Sequence, residues 1–317
     1  MTCAGEAQSA PRCPSAVIAG EQRAMLLTDD AVSIEARYEP SPTLGAEPSG
    51  QLALVVGHGF SGALERPALR RVASEFQQRT AVITFSFRGH GRSGGRSTVG
   101  DREVLDLAAA VRWARRLGHR RVATVGFSMG GSVVIRQAAL YGKIEEIQPL
   151  QDVHEGERTG RSPGRTDGVL GSAGSADGAA PAGATDGAAP DAVVAVSSPA
   201  RWYYRGTAPM RRLHWAITRP TGRLVSRYGL RTRIDPGGWA VDPLSPVAAA
   251  PLIAPTPLLI VHGDRDPYFP LDHPRMLASA ADPSTSELWI EPGYGHAETA
   301  ASPDLLARIA DWATAHA

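Results

Sequence analysis

The chain has 317 residues, 43% of them hydrophobic and 21% charged, enough to bury one large core or two smaller ones. A net charge of +1 offers no overall attraction to nucleic acid, so no nucleic-acid partner is expected. Both cysteines, Cys3 and Cys13, sit in a polar, proline-containing start, which leaves none for a core disulfide, a zinc cluster or a catalytic thiol.

The opening residues lack the basic start and apolar run of a signal peptide, and no stretch approaches 18 apolar residues. The expectation is a soluble cytoplasmic protein with a loose tail over 1–22 and no membrane span. From residue 23 onward, short apolar runs alternate with helical periods. AMLLT, AVSIEARY, QLALVV, AVITFSF, RVATVGF, AVVAVSS, PLLIVHG and SELWIE read as strands. Leu69, Val72, Ala73 and Phe76 mark one amphipathic helix. Val104, Leu107, Ala108 and Val111 mark another, with Asp101 as its expected N-cap. The last helix has Ser302 as N-cap and Pro303 at its first position, followed by Leu305, Leu306, Ile309 and Trp312. Continuous Val/Ile/Leu strands alternating with helices indicate a mostly parallel sheet covered on both faces. The first two strands lack a helix between them and are expected to form an antiparallel edge. Residues 145–190 are largely Gly, Ala, Ser, Asp and Pro, a composition that cannot bury enough surface to offset its ordering entropy; a disordered insert is expected there.

Three serines satisfy G-x-S-x-G: GRSGG at Gly91–Gly95, GFSMG at Gly126–Gly130 and GRSPG at Gly160–Gly164. In a chain with 34 glycines the string alone means little. Context separates the three. GRSPG lies in the low-complexity stretch, and Pro163 has no N–H to offer an oxyanion. GRSGG follows a strand but meets a loop before the next helix. GFSMG joins the strand RRVATV directly to the helix GGSVVIRQAALYG, which makes Ser128 the candidate nucleophile. Such a hydroxyl needs a base, and the base needs an anion to hold its tautomer. Later strand ends supply Asp264 or Asp266 in DRDPYFP and His296 in PGYGHAE.

Taken together, HGF at His58–Phe60, FRGHGRS at Phe87–Ser93, GFSMGG at Gly126–Gly131 and the closing GDRDPYFP and GYGHAE resemble the α/β-hydrolase family over about residues 23–142 and 191–317. That resemblance implies an α/β fold, a mostly parallel eight-stranded sheet with helices on both faces and a small helical cap at 200–250. It assigns the triad acid to Asp266, with Ser128 as nucleophile and His296 as base, and the oxyanion hole to the N–H groups of Phe60 and Met129. Many relatives carry an aspartate where this chain has Ser86, which questions the support of that loop. The implied reaction is hydrolysis of a carboxylic ester, thioester or amide of a small-molecule acyl substrate, with no metal or organic cofactor.

A dinucleotide site is the rival, because GHGFSG and GHGRSG both match G-x-G-x-x-G. The following strand ends in Phe85, Ser86, Phe87 and Arg88, without the acid that would hold a ribose. An acyltransferase or a cofactor-free perhydrolase would use the same triad, and a non-catalytic scaffold would need its geometry broken. Within the cap, nine arginines and no acid occur from Arg201 to Arg233, while nine acids face three arginines between Glu145 and Asp191. Two readings are open: a basic solvated surface partly neutralised by the acidic insert, or a cap in which Trp202, Tyr203, Tyr204 and Trp215 wall an acyl slot and Arg211 and Arg212 select an anionic substrate. Leu224, Val225 and Tyr228 are read as the apolar stripe of a second cap helix. Oligomeric state is left open by the sequence.

Overall fold

A computed structural model describes residues 20–42, 51–142 and 187–317. Residues 1–19 of the expected tail and 145–186 of the expected insert lie outside the described residues. In chain order the elements are β1 Gln22–Leu27, β2 Ser33–Glu39, β3 Leu52–Gly57, α1 Pro67–Gln77, β4 Ala81–Phe85, α2 Glu103–Arg116, β5 Arg121–Phe127, α3 Met129–Tyr141 and β6 Ala192–Val196. Then follow α4 Ala208–Thr218, α5 Pro220–Tyr228, α6 Pro246–Ala249, β7 Leu258–Gly263, α7 Asp272–Ala280, β8 Ser286–Glu291, α8 Ala297–Ala300 and α9 Pro303–His316.

The eight strands form one sheet in the order β1-β2-β4-β3-β5-β6-β7-β8. β1 pairs with β2, and β2 with β4, antiparallel; every other pairing is parallel. The expected antiparallel edge is therefore present, and it extends to the β2–β4 junction. Because side chains alternate along a strand, each central strand feeds two cores. Ala53 and Val55 of β3 turn toward α2 and α3, where Leu107, Val111 and Ile135 are buried. Leu54 and Val56 turn toward α1 and α9, meeting Phe76, Leu306 and Ile309. The chain reverses its direction of winding between β3 and β5, so the carboxyl ends of these strands open a crevice at the sheet's upper edge.

Two expectations need correction here. Asp101 does not cap α2. That helix starts at Glu103, after Arg102 with no side-chain cap, and Asp101 instead reaches Arg136 of α3 at 3.3 Å. The buried Glu103 carboxylate accepts from the Ser97 and Thr98 hydroxyls and from the N–H groups of Thr98 and Gly100, so the preceding loop is tied into the first turn of the helix. Four hydrogen bonds to one side chain outweigh what a single capping bond offers. Residues 187–190, placed in the insert by composition, are ordered in the fold. Ala188 is fully buried and accepts from the Gln137 amide at 2.7 Å, because this segment must close onto α3 before β6 begins.

Candidate active site

The strand β5 delivers Ser128 into a sharp turn before α3, with φ 53° and ψ −113°, a backbone region rarely adopted by residues with side chains. Small neighbours make the turn possible. A Cβ on Gly126 would collide with the Gly130 carbonyl oxygen, and one on Gly130 would lie 2.5 Å from the Gly57 carbonyl oxygen. The Ser128 N–H is held by the Val196 carbonyl at 2.9 Å, which pins the turn to β6.

Two later strand ends complete the arrangement. After β7, the buried Asp266 accepts from the N–H groups of Tyr268 at 2.8 Å and Phe269 at 3.1 Å through Oδ1. Its Oδ2 takes the Nδ1–H of His296 at 2.7 Å. A proton held at Nδ1 leaves Nε2 of the neutral ring as an acceptor, and it lies 2.9 Å from Ser128 Oγ. Tyr268 stacks on the imidazole with centroids 4.3 Å apart, fixing the plane of the ring. Asp264, the alternative acid, lies apart from this row and accepts from Gly293 N–H at 2.6 Å.

Phe60 and Met129 line the same cavity as Ser128. Met129 is the first residue of α3, so its N–H has no partner within the helix and is free to face an oxyanion. His58 and His90 hold this region from behind. His58 Nε2 accepts from Phe87 N–H at 3.0 Å while Nδ1 faces the Gly59 carbonyl at 2.7 Å. His90 bridges the carbonyls of Arg88 and Phe60. Burial holds both rings below the usual imidazole range, His58 well below it, and also lowers His262, whose Nε2 meets the Phe269 carbonyl at 2.8 Å. Ser86, the departure from the family pattern, keeps its loop supported: its hydroxyl donates to Glu35 at 2.7 Å and accepts from Leu64 N–H at 2.8 Å.

The family model described as the alpha/beta hydrolase family matches residues 53–309, most of the chain. The chain belongs to the alpha/beta hydrolase family. Similar solved structures include the esterase Pf2001 of Pyrococcus furiosus, 18% identical over 98% of this chain and 95% of that one, with a TM-score of 0.61. The alpha/beta hydrolase GrgF of Penicillium sp. sh18 is 17% identical over 93% and 98%, TM-score 0.59. Est1E of Butyrivibrio proteoclasticus, solved with ferulic acid, is 16% identical over 91% and 97%, TM-score 0.52. A search of curated protein sequences finds no match.

In this hydrolase the helix α4 covers a cavity of about 250 Å³ above Ser128. Met210, Leu213 and Ile217 of α4 face into it, as their helical spacing predicts, and Trp202, Trp239 and Phe269 add aromatic walls. Tyr203 and Tyr204 also line it, whereas three expected residues do not. Arg211, Arg212 and Trp215 are exposed on the outer face of α4, and Arg211 bonds the carbonyls of Arg205 and Gly206. Their positions follow from the helix period: with Met210 and Leu213 turned inward, residues 211, 212 and 215 must turn outward. Arg201 and Arg205 line the cavity instead, with Arg201 paired to Asp272 at 2.9 Å. Likewise Leu224, Val225 and Tyr228 are not the buried stripe of α5; they are 56%, 51% and 73% exposed, and Gly222 and Ser226 form its inner face.

Two site residues escaped the sequence reading. Trp239 lies in a stretch without strand or helix pattern, and its bond to the Thr98 carbonyl at 2.6 Å and its ring contacts with Trp202 and Tyr203 hold it over the cavity. Glu298 is buried beside the loop after β3 and accepts from Gly59 N–H at 3.2 Å, and burial raises its pKa. The available signal was an acid two residues after His296, in an otherwise glycine- and alanine-rich turn. Among the described residues no group of His, Cys, Asp and Glu is arranged to hold a metal ion, and no helix is long and apolar enough to cross a membrane.

Proposed function

We propose that this hydrolase cleaves a carboxylic ester, thioester or amide through an acyl-enzyme on Ser128. The observation that carries the reading is the continuous hydrogen-bonded row Ser128–His296–Asp266 at the floor of an apolar cavity. As Ser128 Oγ attacks the substrate carbonyl carbon, its proton passes to His296 Nε2, and Asp266 stabilises the imidazolium that forms. The N–H groups of Phe60 and Met129 receive the charge that develops on the carbonyl oxygen. His296 then returns the proton to the departing alcohol, thiol or amine. A water molecule activated by the same nitrogen releases the acid and restores the serine.

The cavity above Ser128 favours an apolar acyl group, since Met210, Leu213, Ile217 and the indoles of Trp202 and Trp239 gain by being covered. The name of one protein of similar fold, the Pyrococcus furiosus esterase, makes esters the first substrates to try. The deciding test is labelling by a fluorophosphonate probe, with the modified peptide located by mass spectrometry. Wild type and Ser93→Ala are expected to label at residues 126–130 and Ser128→Ala not at all. Folded wild type that fails to label would remove the proposed chemistry. Ser128→Ala should also lower kcat by about 10⁶ on any ester that the wild type turns over.

A further inference from the structure

A second concavity, of about 450 Å³, lies between α5 and the loop after the RGHG turn, and Ile234 is part of the wall of both this cavity and the acyl cavity. Four of its nine lining residues are arginines: Arg96, Arg223, Arg227 and Arg233. No carboxylate lines it, and among the described residues none of the four is ion-paired. Arg223 and Arg233 are partly buried, and Arg96 and Arg227 are exposed. Elsewhere Arg66, Arg71 and Arg121 bond backbone carbonyls, whereas Arg37, Arg70, Arg88 and Arg136 each meet an acidic side chain, at 2.9, 2.8, 2.7 and 3.3 Å.

The frame that holds these cations is stiff. Ser97 and Ile234 form a parallel bridge, with Ser97 N–H on the Arg233 carbonyl at 2.7 Å and Asp235 N–H on the Ser97 carbonyl at 2.9 Å, so Arg96 and Arg233 leave neighbouring, bonded segments. Arg233 also anchors one end of its guanidinium on the Ser93 carbonyl. Arg223 and Arg227 stand four residues apart on one side of α5, a spacing at which like charges repel and weaken a helix. Repulsion of this kind within a concave, acid-free surface is relieved by an anion that takes several guanidinium donors at once.

We propose that this cleft binds a multiply charged phosphate-class anion beside the acyl cavity. Two sources share that chemistry: a phosphate carried by the substrate itself, reaching past Ile234, or a separate phosphate ligand. The binding claim stands independently of the acyl-enzyme reading, because it needs no reaction at Ser128.

The experiment is calorimetric titration of inorganic pyrophosphate into the full chain. Wild type and Ser128→Ala are expected to bind equally, and Arg223→Gln/Arg227→Gln to bind at least about tenfold more weakly. Arg211→Gln/Arg212→Gln removes the same charge from the outer face of α4 and should bind as wild type does. Absence of binding by wild type, or equal weakening of both double variants, overturns the proposal. If the α5 variant does not fold, Arg96→Gln on the opposite wall takes its place, again with weaker binding expected and unchanged binding overturning the site. With binding established, esters differing only by a phosphate name the source. A phosphate-bearing ester whose KM rises in the α5 variant, with pyrophosphate as competitor, supports the substrate's own phosphate. Pyrophosphate that competes with neither ester supports a separate ligand.

Discussion

Ser93 and Ser128 each sit in a G-x-S-x-G string, and what separates them is the partner of the hydroxyl. Ser93 Oγ donates to the Ser86 carbonyl at 2.6 Å and accepts from Glu35 N–H at 3.0 Å, which makes it a brace for the loop. Ser128 Oγ meets an imidazole whose other nitrogen is held by a buried carboxylate. In the proposed mechanism the charge on Asp266 matters less for attraction than for selecting the tautomer. In Asp266→Asn an amide NH₂ can face Nδ1, leaving Nε2 protonated and unable to accept from serine. A fall in kcat of about 10⁴ with little change in KM is expected, read from steady-state turnover of an activated ester. Choosing Asp266 over Asp264 required the family resemblance, because both lie in one four-residue turn. In the folded chain the choice follows from direction: Asp264 points back to Gly293, and Asp266 to His296.

Helix starts illustrate how far local sequence carries at the next scale. Ser302 accepts from Leu305 N–H at 3.2 Å and Pro303 occupies the first helical position, as the sequence predicts for α9. Ser302→Ala should cost about 1 kcal/mol of stability in urea unfolding while leaving kcat unchanged, since the helix packs on the face of the sheet away from α2 and α3. At α2 the local signal failed, because Glu103 reaches back to organise the preceding loop and Asp101 serves Arg136 instead. The second cap helix failed for a different reason. An apolar stripe reports which side could be buried, but the contact with α4 is made where backbones approach closely, at Gly222 and Ser226. Leu224, Val225 and Tyr228 are consequently left outside.

At the scale of the whole molecule, folding buries several histidines that water would otherwise protonate in mild acid. His273 is the clearest case. Its Nδ1 accepts from Ala200 N–H at 2.9 Å, and burial lowers its pKa from 6.5 to about 4. Between those values the unfolded chain binds more protons than the folded one, so stability is complete above about pH 6.5 and declines as the pH drops toward 4. For His273 alone the loss amounts to about 3 kcal/mol, and His58, His90 and His262 shift in the same direction. Urea unfolding at pH 7.5 and 4.5 measures the difference. His273→Gln, which keeps an acceptor for Ala200 without a titrating ring, should flatten part of the slope; an unchanged slope would contradict this role for His273.

The sequence by itself determined the strand and helix rhythm, the family, and the place of Ser128 and His296 just after two strands. Those features are written in short-range patterns: apolar runs, glycine at a strained turn, and the period of each helix. Tertiary structure alone decided which way a side chain faces once its element is docked. It turned Arg211, Arg212 and Trp215 outward, brought Trp239 and Glu298 to the site, and gathered Arg96 with Arg223, Arg227 and Arg233 from segments more than a hundred residues apart. Such neighbours depend on how elements pack, and packing is a property of the assembled surfaces that no window of sequence contains.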